Sequence, residues 1–106
     1  MALAEEKGQP IAKGTPPLNR KEAEELARRV PRWKLVDSRL EEDFSFKDFG
    51  ETMQFVNRVA QVAQEEDHHP DIEISYNKVH LTLSTHSIGG LSRNDFIVAA
   101  KIERLL

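Results

Sequence analysis

Two short segments that alternate apolar and polar residues lie only two residues apart, at positions 72–76 and 79–85. A period of two is typical of a half-buried β-strand, and a two-residue spacer is typical of a tight hairpin. Asn77 tolerates the left-handed backbone that such a turn needs, although Lys78 suits it less well than glycine. The sequence therefore predicts an antiparallel hairpin that turns at Asn77–Lys78.

This turn determines which residues face each other across the hairpin. Counting outward pairs Tyr76 with Val79 and, at the open end, His69 with His86. Pro70 interrupts regular strand pairing there, but the two ends of the hairpin remain neighbours. The alternation separates two faces. The apolar face carries Ile72, Ile74, Tyr76, Val79, Leu81 and Leu83, and the polar face carries His80, Thr82, Ser84 and His86.

A first helix and two further strands are predicted before the hairpin. Asn19 and Glu22 have the spacing of a capping box, and apolar residues follow at helical intervals as far as Val30. The proline that follows ends the helix. Residues 33–36 and 40–46 predict two strands joined by a turn, since the second segment alternates apolar and polar residues.

Two more helices flank the hairpin. Asp48 is suited to cap a long helix that ends at or before the adjacent histidines, because Pro70 disfavours helical geometry in the residue before it. Ser92 and Asp95 supply a capping box for a last helix. The resulting order, α-β-β-α-β-β-α, predicts an α+β fold: a single domain in which a four-stranded antiparallel sheet has helices packed on one face.

The first part of the chain lacks these patterns. Residues 1–17 contain two glycines and three prolines and show no apolar periodicity. Such a segment has little apolar surface to bury against the entropy of ordering it. We therefore expect a flexible N-terminal tail over residues 1–17 and a folded domain over residues 18–106.

Composition excludes several classes of function. The chain has 106 residues, of which 39% are hydrophobic, and this suits one compact domain. A net charge of −3 gives no basic excess for direct binding of nucleic acid. The lack of cysteine excludes disulfides and thiolate metal sites, and no apolar run is long enough to cross a membrane. With no secretory pattern at the start, we expect a cytoplasmic protein that binds neither nucleic acid nor membrane.

The long helix is apolar over a wide surface. One row of apolar residues faces the sheet, and a second row lies beside it. These rows are Phe49, Met53, Val56, Ala60 and Ala63, and Phe55, Val59 and Val62. Since a small sheet also leaves edge strands exposed, we expect a homodimer or homotetramer.

Three histidines give the chain its clearest chemical capacity. An unperturbed imidazole titrates near pH ~6.5, so His68, His69 and His86 can together give and take protons at neutral pH. Two alternative roles stay open for them. Adjacent histidines at a helix end are often solvated groups that meet the helix dipole, and three histidines can hold a catalytic zinc ion. Zinc is the weakest hypothesis, because adjacent side chains on an extended segment point apart, so we assign no metal.

Several motifs follow one another at fixed spacing in the second half of the chain. They are Asp67-His68-His69-Pro70, Tyr76-Asn77-Lys78-Val79-His80, Leu83-Ser84-Thr85-His86 and Gly90-Leu91-Ser92, followed by Asp95. In this pattern, residues 18–106 resemble the pterin-4a-carbinolamine dehydratase family, also known in animals as a dimerisation cofactor of a homeodomain transcription factor.

The resemblance implies an activity and a set of site residues. Such enzymes remove water from a 4a-hydroxytetrahydropterin, including 4a-hydroxytetrahydrobiopterin, and so regenerate quinonoid dihydropterin after aromatic amino-acid hydroxylation. They need no metal and no organic cofactor beyond the reduced pterin substrate. The resemblance implies proton transfer at His68 and His86 and a hold on the pterin at His69. It places seven residues at the substrate: Asp67, His68, His69, Ser84, Thr85, His86 and Ser87.

One position departs from the family's usual pattern. Gln64 stands where the family usually has an ionisable residue, and it can hydrogen-bond a ring but cannot ionise. We therefore expect activity with an altered pH dependence. Asp95 is explained by helix capping alone, so we treat Gln64 and Asp95 as supporting residues. The alternative function is a non-catalytic binding or assembly factor on the same scaffold.

Overall fold

A computed structural model, which describes residues 2–106, shows a four-stranded antiparallel sheet with three helices. The elements are α1 (Arg20–Ala27), β1 (Lys34–Val36), β2 (Arg39–Ser45), α2 (Phe49–Glu66), β3 (Asp71–Ser75), β4 (Lys78–Leu83) and α3 (Arg93–Glu103), with short 3₁₀ turns at Leu3–Glu5 and His86–Ile88. In space the strands lie in the order β1-β2-β4-β3. The predicted α+β class and the order of helices and strands are confirmed.

The first helix begins as predicted and ends earlier. The Glu22 amide donates to Asn19 Oδ1 at 2.8 Å, and the Asn19 amide donates to Glu22 Oε1 at 3.0 Å, which forms the capping box. The helix ends at Ala27. The amides of Arg29 and Val30 then bond to carbonyls three residues back, at 2.9 and 3.1 Å, and tighten the chain. This tighter turn accompanies complete burial of the Val30 side chain.

The predicted hairpin forms, but its turn is Tyr76–Asn77, not Asn77–Lys78. Ser75 pairs with Lys78, and Tyr76 adopts the left-handed backbone with φ 52°. Asn77 is held elsewhere: its side-chain amide donates to the Phe46 carbonyl at 3.1 Å, and its own carbonyl accepts from the Phe46 amide at 2.8 Å. The prediction was wrong because these contacts with the segment after β2 are not visible in the local turn sequence.

The register is consequently displaced by two residues. Val79 lies opposite Ile74 instead of its predicted partner. Because side chains alternate across a strand with a period of two, this displacement leaves the two faces of β3 and β4 as predicted. When the observed pairing of β3 with β4 is continued to the open end of the hairpin, residue 69 lies level with Ser84 and not with His86.

The core lies between one face of the sheet and the helices. The buried strand residues are Leu40, Phe44, Val79, Leu81 and Leu83, and the helices contribute Phe55 and Val59 from α2 and Phe96, Ile97 and Ile102 from α3. The ring centroid of Phe44 lies 4.7 Å from that of Phe55 and 6.3 Å from that of Trp33. The helices therefore cover the apolar face, as predicted, and the opposite face of the sheet is left to polar side chains.

The N-terminal residues pack against the domain. Leu3 is 3% exposed and belongs to the hydrophobic core, and the 3₁₀ turn around it contacts α3. The structure thus differs from the expectation that this segment packs against nothing. One apolar anchor gives no periodicity, so the sequence pattern carries no sign of it. The flexibility of residues 1–17 and the boundary at residue 18 stay predictions.

His80 lies at the centre of the polar face. Its Nδ1 is 2.7 Å from Asp43 Oδ1, and its Nε2 is 3.2 Å from Glu41 Oε1. Glu73 lies opposite His80 on β3. The hydrogen bond with Asp43 raises the pKa of His80, with help from the charges of Glu41 and Glu73, while partial burial opposes the rise. His80 thus links two neighbouring strands by charge.

We expect this link to make stability depend on pH. Since the folded-state pKa of His80 is raised, its contribution is fully present below the unfolded value of ~6.5 and is lost as pH rises through the folded value. The difference in urea midpoint between the parent and His80→Gln should therefore shrink from about pH 6 to about pH 9. Thr82→Ala, a neutral change on the same face, should show a constant difference. A constant difference for His80→Gln would contradict this prediction.

Candidate active site

The end of α2 sets the position of the adjacent histidines. Asp67 adopts the left-handed conformation, with φ 50° and ψ 43°. The Asp67 amide donates to the Gln64 carbonyl at 3.3 Å, and the His68 amide donates to the Ala63 carbonyl at 3.1 Å. These two bonds form a Schellman motif, which ends the helix in a defined geometry. His68 is therefore held by a backbone bond immediately after the helix.

A buried carboxylate anchors the ring of His68. His68 Nε2 lies 2.5 Å from Asp95 Oδ1, and Asp95 is fully buried. The other oxygen, Oδ2, accepts from the Thr85 hydroxyl at 2.8 Å and from the Ser92 amide at 2.9 Å. When Nε2 donates to this carboxylate, Nδ1 is the ring nitrogen left for a substrate or water. The ring of His68 is therefore held in one orientation by a buried partner.

The site thus joins three segments that are distant in sequence. The hydroxyls of Thr85 and Ser92 lie 2.7 Å apart, and both residues are buried. Asp95 is the member that contacts His68 directly, so its place in the site goes beyond helix capping. Sequence reasoning treated Asp95 as supporting and Ser92 only as a cap. The spacing of the capping box was the available signal, but it cannot reveal a partner 27 residues away.

His69 has a different environment from its neighbour. Its Nε2 lies 2.7 Å from Gln64 Oε1, and both side chains are exposed. A glutamine oxygen can accept from the ring nitrogen, so Gln64 orients this imidazole without adding charge. The hydrogen bond expected between Gln64 and a histidine ring is present. Among the described residues, the buried hydrogen-bond network of Asp95 consists of His68, Thr85 and Ser92. The side chains of His69 and Gln64 lie outside it.

The segment after β4 forms a closed loop that carries His86. Thr85 and Gly90 pair across it, with the Thr85 amide 2.8 Å from the Gly90 carbonyl. His86 and Ser87 are exposed, and they begin the 3₁₀ turn that lies between Thr85 and Gly90. A Cβ on Gly90 would lie 2.7 Å from Pro17 Cβ, so only glycine allows this close approach. The loop that holds His86 is therefore packed against the segment before α1.

A cavity of about 450 Å³ opens on the polar face of the sheet beside His86. Its lining residues are Ser38, Arg39, Glu41, Asp71, Glu73, His80, Thr82, Ser84 and His86. Of the predicted site residues, Ser84 and His86 line this cavity. The lining does not include Asp67, His68, His69, Thr85 or Ser87, and the Thr85 hydroxyl bonds to Asp95. Arg39, Glu41, Asp71 and Glu73 were not predicted as site residues. Alternation along β2 and β3 was the signal that could have placed them on this face.

The zinc hypothesis requires several ligands that converge on one point. Over residues 2–106, no three His, Asp or Glu side chains are grouped so that they could hold a metal ion. His68 and His69 each bond instead to a different protein partner, Asp95 and Gln64. The two adjacent histidines are therefore held by two separate partners.

Comparisons with known proteins agree on one family. The family model described as pterin 4 alpha carbinolamine dehydratase matches residues 16–105. A protein of Nitrosomonas eutropha named "Putative pterin-4-alpha-carbinolamine dehydratase" is 50% identical, over 98% of this chain and 93% of that protein. The crystal structure titled as a transcriptional coactivator/pterin dehydratase from Brucella melitensis has a TM-score of 0.79 and 34% identity, over 84% of this chain and 97% of that one.

One further solved structure is similar in fold alone. It is titled as a pterin dehydratase-like protein identified as a RuBisCO assembly factor in the alpha-carboxysome. Its TM-score is 0.57 and its identity is 24%, over 70% of this chain and 86% of that one.

The left-handed residue at the end of α2 gives a test of this geometry. Replacing Asp67 by glycine removes a Cβ that is unfavourable in this conformation, so we expect Asp67→Gly to raise stability by about 1 kcal/mol. Asp67→Ala keeps a Cβ in the same backbone and should not be stabilised. Urea denaturation of both variants measures the difference. A glycine variant less stable than the alanine variant would show that Asp67 is held by something other than the Schellman motif.

Proposed function

Because the chain belongs to the pterin 4 alpha carbinolamine dehydratase family, we propose that it removes water from a 4a-hydroxytetrahydropterin such as 4a-hydroxytetrahydrobiopterin. The observation that carries this proposal is the contact between His68 Nε2 and the buried Asp95 carboxylate. It leaves one ring nitrogen of His68 for proton transfer. The product is quinonoid dihydropterin, which allows the pterin to be recycled after aromatic amino-acid hydroxylation.

The reaction requires two proton transfers and nothing else. The bond between C4a and the hydroxyl oxygen breaks, an acid protonates that oxygen, and water leaves. A base takes the proton from N5, and the electrons of that bond form the C4a–N5 double bond. The protons given and taken balance and no oxidation state changes, so the proposal includes no metal and no organic cofactor. A positioned acid or base contributes ~10²- to 10⁴-fold to a rate of this kind.

Two histidines share these transfers in the proposal. Asp95 fixes the ring of His68 through Nε2, and the other ring nitrogen serves for proton transfer. His86 is exposed beside the cavity and can exchange protons with water. His69, oriented by Gln64, holds the pterin, and Asp67, Ser84, Thr85 and Ser87 complete the substrate site.

A non-catalytic binding or assembly factor is the second candidate. The fold also occurs in the protein titled as a RuBisCO assembly factor, and that likeness concerns the fold alone. The buried contact between His68 and Asp95 favours the dehydratase, because it orients an imidazole with one ring nitrogen left for proton transfer, which binding or assembly does not require. A cytoplasmic location remains part of the proposal. As a separate observation, the helices of residues 2–106 lack the combination of length and apolar character that crossing a membrane requires.

Paired substitutions test the catalytic proposal. We expect His68→Ala and His86→Ala each to retain part of the rate, since the remaining imidazole can still assist through water. The double variant should lose far more, on the scale of ~10²- to 10⁴-fold per group. His69→Ala should mainly raise KM. The measurement is dehydration of a 4a-hydroxytetrahydropterin, corrected for the spontaneous rate.

Folding and specificity need their own controls. Circular dichroism separates an inactive variant from an unfolded one. The control for specificity is Gln61→Ala, which changes an exposed polar residue one turn before Gln64 and should keep the parent rate. A folded double variant as active as the parent would reject the histidines as catalysts and favour the assembly factor.

We propose further that the protein is a homodimer or homotetramer. Phe49 and Tyr76 are 50% and 64% exposed, and their rings stack with centroids 6.4 Å apart. Ile74, on the edge strand β3, is 41% exposed. Sedimentation at high protein concentration should give a mass of at least two chains. A single-chain mass would reject this proposal.

A further inference from the structure

Glu66 is a buried charge at the last position of α2. It is 7% exposed and immediately precedes Asp67 and His68. Its Oε1 accepts from the Gly8 amide at 2.7 Å, and its Oε2 lies 3.2 Å from Lys101 Nζ on α3. Burial raises the pKa of Glu66, but the Gly8 amide and the Lys101 ammonium together outweigh it and lower that pKa. The carboxylate is therefore ionised and fixed from two sides.

The N-terminal strap, defined here as residues 3–9, provides one of those sides. It also contacts the start of α3. The Gln9 amide donates to Asn94 Oδ1 at 2.9 Å, and the Asn94 side-chain amide donates to the Gln9 carbonyl at 2.7 Å. Lys7 Nζ donates to the Glu65 carbonyl at 3.0 Å. The strap thus bonds to Glu66, two residues before His68, and to Asn94, one residue before Asp95.

The strap is itself anchored at its beginning. Leu3 is buried in the core, and Arg93 donates to both carboxylate oxygens of Glu6, at 2.8 and 2.7 Å. A bidentate pair of this kind fixes direction as well as distance. A Cβ on Gly8 would meet the Glu66 carbonyl at 3.1 Å, so the backbone of the strap lies close against the end of α2.

These contacts bear on the geometry of proton transfer. His68 and Asp95 stand on the ends of two different helices, and helix ends lose backbone hydrogen bonds and fray unless other groups hold them. A misplacement of about 1 Å at a reacting group can cost ~10²-fold in rate. The strap bonds to the end of α2 and to the start of α3. The contact between His68 and Asp95 depends on the relative position of these two helix ends.

We propose that the N-terminal strap is a positioning element of the active site, in which Gly8 and Gln9 hold Glu66 and Asn94 so that His68 stays on Asp95. Glu66 and Asn94 are then positioning residues, since they act through the ends of α2 and α3. This inference rests on the proposed dehydratase function for its kinetic consequence. Its structural consequence, the position of the His68 ring, is independent of that function.

Variants at Glu66 test the proposal in the full chain. Glu66→Ala removes both contacts and should lower kcat by up to ~10²-fold, with little change in KM. Glu66→Gln keeps an oxygen for the Gly8 amide and should recover part of the loss. Glu5→Gln is the matched control, since Glu5 is an exposed acid of the same strap that lies 3.9 Å from Arg104. It should leave kcat unchanged.

A spectroscopic readout separates positioning from general destabilisation. In protein labelled with ¹⁵N-histidine, Glu66→Ala should shift the ring nitrogens of His68, while those of His80 stay as in the parent. Asn94→Ala serves as a second variant if Glu66→Ala does not fold. Folded variants with the parent kcat and parent His68 signals would overturn the inference. A parent protein without dehydratase activity would overturn the proposed function instead, and the His68 signals would still decide the role of the strap.

Discussion

The arrangement around the Asp95 carboxylate is the constraint on which the site depends. A carboxylate taken fully out of water costs several kcal/mol unless charged or polar groups satisfy it. Here the hydroxyl of Thr85, the amide of Ser92 and the ring of His68 all point to it. The end of β4, the start of α3 and the segment after α2 therefore converge on this carboxylate. The same convergence gives His68 its orientation.

The elements next to this network are held by backbone geometry. Asp67 in the left-handed region ends α2 through a Schellman motif, and the pairing of Thr85 with Gly90 closes the loop that carries His86. Neither segment depends on a long flexible connection. His68 and His86 thus stand on fixed backbone, which suits the proton transfer proposed for them.

The two faces of the sheet differ in chemical character. The face toward α2 and α3 is apolar and supplies the core. The other face carries His80 between carboxylates and opens into the cavity beside His86. Since a displacement of the hairpin by two residues preserves this division, the faces are more strongly specified than the turn itself.

The sequence by itself determined the features that depend on near neighbours. Caps at Asn19 and Asp48 and the alternation along the strands act over a few residues, so the helix starts, the strand faces and the α+β order could be predicted. The three histidines stand out in the sequence itself, and the resemblance to a known family supplied the roles proposed for them. Only the tertiary structure decided that Tyr76 makes the turn, that Asp95 holds His68, and that Gly8 reaches Glu66. Each of these depends on partners far apart in the chain, and no local periodicity encodes such a meeting.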